Sequence, residues 1–506
     1  MSCSTLRRRL WLSLASAGML SACAVGPDYQ RPAVAIPDDY RSATPQQRSV
    51  QATPATQSTD AALPEDAWWK GFNDPVLDDL VAAGLANNRD LQSAIANVIK
   101  TRGQLETTRA QFFPQLGASA GSARGQGSSI GQTIVAPTPT VPLSTTSTMQ
   151  LPASWQIDLF GGIRRQVEAA SATEAAAIAN RRAVALSVAG QMTDSYILLR
   201  ALDQQLVLTR QTLENYRTTL RVFELRLKYG TANMVQVSQI QSQVDQAEAS
   251  IPPLVKAIAE QENSIRFLAG RNPGNVPRGK SIEQLSLPVP PAGLPSELLA
   301  RRPDVMRAEQ QLIAANAQIG VAKAQYFPSI SLTGALGTAS NNLISLFSGP
   351  GKIWSVGAAA TMPIFTAGAI AGQVTSAEAG QQMALAQYQK AVEASFRDVD
   401  NALVATSENR KLVSARQQQV GTLKTYANLS SMQFNYGYAD YLTVLNAEDS
   451  LFKAQLQLVD AQRQEANAIL SLYMALGGGW EAADRDTLAA NQAITKADGP
   501  SQPKQP

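Results

Sequence analysis

Histidine is absent from all 506 residues, and cysteine occurs only twice. The commonest general base and metal ligand is therefore missing. No pair of carboxylates stands out for a mechanism run on acids alone, such as glycoside hydrolysis. The chain does not read as an enzyme, and no metal or dissociable cofactor is expected. The two cysteines, Cys3 and Cys23, both lie at the N-terminus, so the rest of the chain must be held by packing and assembly rather than by disulfides. Excess charge is scarce as well. The formal net charge of +3 matches the three leader arginines Arg7, Arg8 and Arg9, and the remainder is balanced, which gives no electrostatic case for nucleic acid. Past residue 22, no apolar run approaches the ~20 residues that a membrane-spanning helix needs. If this chain crosses a bilayer, it does so as a closed β-barrel.

What is present begins with the leader. Arg7–Arg9, an apolar run from Leu10 to Leu20, and the small residues Ser21 and Ala22 precede Cys23. A basic region, a short apolar core and small residues before the cut make a secretory signal, and cysteine at the cut makes it a lipoprotein signal. Residues 1–22 are expected to be removed, and Cys23 to carry an N-acyl and S-diacylglycerol lipid. By resemblance to bacterial lipoproteins generally, Ala24, rather than Asp, at the next position favours the outer membrane.

The remainder is written twice. Ala110-Gln111-Phe112-Phe113-Pro114 recurs 214 residues later as Ala324-Gln325-Tyr326-Phe327-Pro328. Lys228-Tyr229-Gly230 recurs 207 residues later as Asn435-Tyr436-Gly437. Each copy has the same order. A helix of about 22 residues ends at the Phe-Pro, a strand pair follows, and then comes a proline-free stretch of about 65 residues (Ile163–Tyr229 and Ala369–Tyr436). A glycine marks a turn, and a helix of about 38 residues runs back. As one helix, 65 residues would be ~100 Å long, which suits a coiled-coil or helical-barrel assembly. Pro252-Pro253 is expected to kink or interrupt the first return helix, and Gly190 sits inside its long partner.

The strand pairs, about 115–124 with 148–158 and 329–338 with 352–362, show a period of two. Met149, Leu151, Ala153, Trp155 and Ile157 alternate with small or polar residues, as do Ile330, Leu332 and Leu336, and then Trp354, Val356, Ala358, Ala360 and Met362. The segments Ser119–Ser147 and Ser340–Gly351 read as Gly-, Ser- and Asn-containing loops. Runs of about ten residues fit a tilted transmembrane barrel strand. Four strands cannot close a barrel, and open edges in lipid would leave polar backbone unsatisfied. Closure must come from other copies. Three copies give twelve strands and a barrel wide enough for a channel, which suits the polar inward face.

Three motifs carry a resemblance: Cys23-Ala24-Val25-Gly26-Pro27-Asp28-Tyr29-Gln30-Arg31-Pro32, Trp155-Gln156-Ile157-Asp158-Leu159-Phe160-Gly161-Gly162 and Leu299-Ala300-Arg301-Arg302-Pro303-Asp304-Val305. With the duplicated layout, the chain resembles the outer membrane efflux lipoproteins, TolC-like outer-membrane factors of the NodT-type branch, over residues 23–480. The resemblance implies a mostly α fold with a small β part, in which duplicated helical hairpins form a trimeric 12-helix α-barrel beneath a 12-stranded β-barrel. It divides the chain into the signal (1–22), an acylated equatorial segment (23–88), a first repeat (89–270), a connector (271–302), a second repeat (303–476) and a C-terminal equatorial segment with a polar tail (477–506). It also implies a homotrimer, a periplasmic adaptor protein, an inner membrane transporter of the resistance-nodulation-division type, and a work of conduction for drugs or other toxic small molecules. A conduit for type I protein secretion stays open as the alternative on the same fold, and a lipid-anchored structural trimer without a pore as a further one.

The resemblance also assigns site residues. A leucine and an acid four residues on, behind the second turn, constrict the family's aperture. They match Leu442 and Asn446 here, which share a helix face, with Val235 and Gln239 at the same positions behind the first turn. Asn446 departs from the acid, and Gln433 departs from an arginine that the first repeat keeps as Arg226. Tyr229, Gly230, Val235, Ser238, Tyr436, Gly437 and Leu445 are the candidate adaptor contacts. Arg301, Arg302 and Asp304 read as structural, with Asp304 favouring a helix N-terminus, and Trp68-Trp69 read as packing residues.

Overall fold

The computed structural model describes residues 24–37, 40–42, 67–126, 143–288, 290, 301–347 and 349–478. The leader, Cys23 and the polar tail lie outside the described residues. In chain order the elements are α1 (Pro75–Asn87), α2 (Arg89–Arg109), β1 (Gln115–Leu116), β2 (Ser119–Gln126), β3 (Leu143–Ile157), α3 (Gly162–Lys228), α4 (Met234–Leu268), α5 (Pro303–Ala324), β4 (Ser329–Ser340), β5 (Lys352–Thr361), α6 (Ala369–Asn435) and α7 (Tyr441–Ala475). The long helices α3 and α6 both have 67 residues, and the return helices α4 and α7 both have 35. No described helix is long and apolar enough to cross a membrane. The described residues form two compact units: those within 1–32, 98–176 and 308–388 make one, and those within 33–97, 177–307 and 389–506 the other.

The first unit holds an antiparallel sheet in which β1 and β2 pair in turn with β3, followed by β4 and β5. The strands reach well into the segment that reads as a loop in the sequence, because the small and polar residues of β2 pair through their backbones with the Ser- and Thr-rich first half of β3. The strand read over 115–124 is split in two. The register does not change across the break, which lies opposite Pro152, and Gly117 donates its N–H to the Pro152 carbonyl at 2.9 Å. Proline has no N–H to return, so the ladder lapses there and then resumes. The register puts Leu151, Leu336 and Trp354 in one cross-strand row, and Ala153, Gly334 and Val356 in the next. The large apolar residues from Met149 to Ile157 of β3, those of β4, and Trp354 and Val356 of β5 therefore share one face, and Ser154, Thr333 and Gly357 lie on the other together with Ile353.

The motif around Asp158 makes the strand-to-helix corner. Its carboxylate accepts from the N–H groups of Ile163 and Arg164 at 3.1 and 2.9 Å, capping α3, while Gly161 takes the left-handed backbone of the turn (φ 77°). The post-cysteine motif clips onto α3 and α5. Arg165 bonds Asp28 (2.6 Å) and Glu168 (2.7 Å), Arg31 bonds Glu309 through two nitrogens at 2.6 Å, and Asn316 donates to the Pro27 carbonyl at 2.9 Å. A Cβ on Gly26 would lie 2.5 Å from the Cα of Gly320, so the segment runs against α5 backbone to backbone.

In the second unit Trp68 is buried with Phe72, Leu77, Met192, Ile265 and Ile469, and its ring stacks on Tyr473 at 5.6 Å. Arg302 forms a fork with Asp304 (3.0 and 2.7 Å), bonds Asp398 at 3.2 Å, and donates to the Ala475 carbonyl at 3.1 Å. It ties the start of α5 to both helices of the second hairpin. Burial opposes the charge on Arg302, but the two carboxylates outweigh it and push the pKa up. Gly190 has a packing reason: a Cβ there would lie 2.4 Å from the sulfur of Met474. Of the kink or interruption expected at Pro252-Pro253, the interruption does not occur: the return helix α4 continues through both prolines as one element. Two of its helical hydrogen bonds, to the carbonyls of Glu248 and Ala249, lack a donor, and the residues on either side carry it through.

Candidate functional site at the helical tips

Each long helix ends in the same way. Gly230 and Gly437 adopt φ 72° and 77°, and their N–H groups donate to Leu227 and Phe434 at 3.0 Å. The next N–H, of Thr231 or Tyr438, reaches back to Arg226 or Gln433 at 2.8 Å. This is the Schellman closure, which requires a left-handed residue. The following helix starts are unequal. Asn233 forms a capping box with Gln236, its side chain accepting from the Gln236 N–H at 3.0 Å and its own N–H donating to the Gln236 side chain at 3.2 Å, whereas Asp440 makes no side-chain cap. The second tip is thus held by fewer polar bonds than the first.

Beneath the turns the two hairpins share a core. Leu213, Tyr216, Phe223, Val237, Ile240 and Val244 of the first are buried with Tyr441, Val444 and Leu445 of the second. Phe223, Phe434 and Tyr441 form an aromatic trio with centroids 4.3 to 6.0 Å apart. The Arg226 guanidinium lies 5.2 Å from the Phe223 ring and 5.1 Å from the Phe434 ring. One cation therefore sits against an aromatic ring of each hairpin. Burial, and then the carboxylate of Glu448, push the Tyr441 hydroxyl up to about 12, and burial alone pushes the Glu448 carboxyl up.

The residues singled out from the sequence divide by exposure. Leu442 (42 % exposed) and Asn446 lie on the open side of α7, opposite the buried Tyr441, Val444 and Leu445. Val235 is exposed and Gln239 half-buried on α4. Tyr229, Gly230, Ser238, Tyr436 and Gly437 are exposed around the turns. Leu445 is not available as an adaptor contact: it is 4 % exposed and belongs to the core between the hairpins. The aromatic trio escaped the sequence reading. Its signal was the pair of phenylalanines seven residues before Gly230 and three before Gly437, one on each arm leading into a turn.

The family described as outer membrane efflux protein matches residues 80–271 and 294–478, which take in both repeats and both tips. The chain belongs to that family. It is 34 % identical over 467 residues to the solvent efflux pump outer membrane protein SrpC of Pseudomonas putida, covering 91 % of this chain and 96 % of that protein. It is 32 % identical over 464 residues to the cation efflux system protein CusC of Escherichia coli O6:H1, covering 91 % and 97 %. The crystal structure of the open state of the Neisseria gonorrhoeae MtrE outer membrane channel superposes with a TM-score of 0.80 at 29 % identity, over 91 % of this chain and 99 % of that one. The protein is located in the outer membrane, has the TolC-like fold of helical barrel and β-barrel, and works as the outer membrane channel of an efflux pump. Family members are transport conduits.

Proposed function

We propose that the chain acts as a homotrimer, carrying drugs or other toxic small molecules outward without catalysing any step. It takes its cargo from a periplasmic adaptor and an inner membrane transporter of the resistance-nodulation-division type. The observation that carries this reading is the sheet: four full-length strands and one short one, mainly apolar on one face and mainly small or polar on the other, with neither edge paired further among the described residues. Such a sheet is satisfied in lipid only when copies close it, and twelve long strands leave a wet lumen. Leu442 and Asn446, with Val235 and Gln239, form the constriction in this reading. The exposed turn residues Tyr229, Gly230, Ser238, Tyr436 and Gly437 meet the adaptor. A lipid on Cys23 tethers the N-terminal segment, and the intact mass of the mature chain tests that attachment. Energy and substrate choice belong to the transporter, since a wide lumen lined by small polar groups selects little.

The test is accumulation of a fluorescent pump substrate in cells that lack their own outer membrane factor but carry a cognate adaptor and transporter. Expression of this protein lowers accumulation if the reading holds. Unchanged accumulation with the trimer present in the outer membrane would refute small-molecule efflux through that pump, and would move protein secretion to the front.

A further inference from the structure

The sheet is almost without charge, and the charges it has are of one sign and in one place. Between Gln111 and Ile157 the only charged side chain is Arg124, and between Phe327 and Ser376 it is Lys352. Register puts Arg124 opposite Thr145 and Lys352 opposite Thr338. By alternation both cations lie on the apolar face toward the end where loops rather than helices join the strands, Lys352 in the row of Thr338 and Met149 and Arg124 four residues farther out in the row of Thr145. There the sheet's own residues turn polar, with Thr145, Ser147, Thr338 and Ser340 on that face.

The loop after β4 changes this surface. Its short helix, Leu343–Phe347, lies against β3 and β4, with Leu346 buried and Ser147 only 1 % exposed. The loop is built by its own bonds. Asn342 donates its N–H to the Ser340 hydroxyl (3.2 Å), its side chain accepts from the N–H of Ile344 (3.2 Å), and its carbonyl accepts from the N–H of Ser345 (3.1 Å). Held in this way, Leu343, Ile344 and Phe347 are 64, 87 and 80 % exposed. A contiguous apolar patch of this kind marks an interaction surface, and it continues the belt that faces lipid in an outer membrane barrel.

We infer that this loop is a lipid-seating site. Leu343, Ile344 and Phe347 enter the acyl region of the outer leaflet, and Lys352 and Arg124 each hold headgroup phosphate of anionic lipid. The occupant is fixed by continuity with the lipid-facing belt and by charge: apolar contact, two cations and no acid on the strands or their loops. Cations that flank an apolar surface at the membrane boundary reach for headgroup phosphate. In one chain the two cations stand on opposite edges of the sheet, about 14 Å apart across three strand spacings and staggered by four residues, about 13 Å, along the strands. Closing a barrel from several copies brings those edges together, so the two cations then lie on adjoining strands. The inference needs the outer membrane location and is independent of what the channel conducts.

The test uses the full-length protein reconstituted in vesicles of phosphatidylcholine, with or without phosphatidic acid. An Ile344→Cys variant is labelled with an environment-sensitive fluorophore, and the unsubstituted protein is labelled in parallel to measure any reaction at Cys23. The expected result is blue-shifted emission, quenched by acyl-brominated lipid as strongly as a reporter at Val356→Cys. Water-like emission quenched by iodide would overturn the inference, and so would protection from both quenchers, which would put the loop against protein. A second arm measures the ratio of phosphatidic acid to phosphatidylcholine that stays with the washed protein. Arg124→Gln and Lys352→Gln should each lower that ratio roughly fivefold. An unchanged ratio would overturn the phosphate assignment.

Discussion

Leu442 and Asn446 lie one helical turn apart on a face whose opposite side is packed, so in the proposed homotrimer they are free to meet their copies around its threefold axis. Their chemistry then separates two ways of closing. Leucine rings close by contact, and trimming each to alanine removes about 1–1.5 kcal/mol of apolar burial per copy. Leu442→Ala should therefore raise the resting conductance of the closed trimer in planar bilayers, and an unchanged single-channel current would argue against its place in the constriction. Asn446 is an amide, and a ring of amides gives divalent cations no net charge to bind. Asn446→Asp should create a conductance that falls when calcium or magnesium is added, while the unsubstituted channel stays insensitive; two equal responses would remove Asn446 from the aperture. The family resemblance led to both residues, matched behind Gly437, but the same stretch misled at Leu445. Tyr441, Leu442, Val444 and Leu445 place apolar side chains around most of a turn, so periodicity alone could not say which of them face the neighbouring hairpin.

At the scale of elements, the two hairpin tips are joined chiefly by packing. The first has a capping box and supplies Arg226, while the second has an uncapped Asp440 and supplies Phe434 and Tyr441. A cation shared by rings of both hairpins is worth about 0.5–1 kcal/mol for each ring at a half-exposed site. Arg226→Gln should loosen the second hairpin from the first and raise the fraction of time the channel is open, by up to roughly fivefold for 1 kcal/mol. Arg226→Lys should keep part of the effect. Phe434→Leu should act in the same direction, and the double variant should fall short of the sum. Additive effects would mean that the two side chains are not coupled. This contact was not legible in advance, because it joins residues far apart in the chain and depends on how two hairpins pack. The helices themselves were legible, since a long proline-free stretch between a Phe-Pro and a turn glycine has few other ways to fold. The prolines gave a weaker guide. Pro252-Pro253 leave α4 as one element, while Pro152, in a strand that reads clearly from its alternation, interrupts its neighbour instead.

The whole molecule depends on which face of the sheet meets lipid. Register aligns Val356 with Gly334 and Ala153 on the apolar face, and Ser355 with Ala335 and Pro152 on the other. Adjacent residues of one strand therefore face different solvents in the closed barrel. A charge on the lipid face near the middle of the bilayer costs about 2–4 kcal/mol, whereas the same charge in a wet lumen costs little. Val356→Arg in all copies should lower the yield of folded trimer in the outer membrane, read as the amount of trimer recovered from that membrane. Ser355→Arg should leave assembly intact and alter ion selectivity. If Val356→Arg assembled normally and Ser355→Arg failed, the barrel would be inside out relative to the register argued here. If both failed alike, the sheet would be packed on both faces and there would be no lumen. The pair thus tests the property on which conduction rests: that one strand, two residues at a time, separates lipid from water.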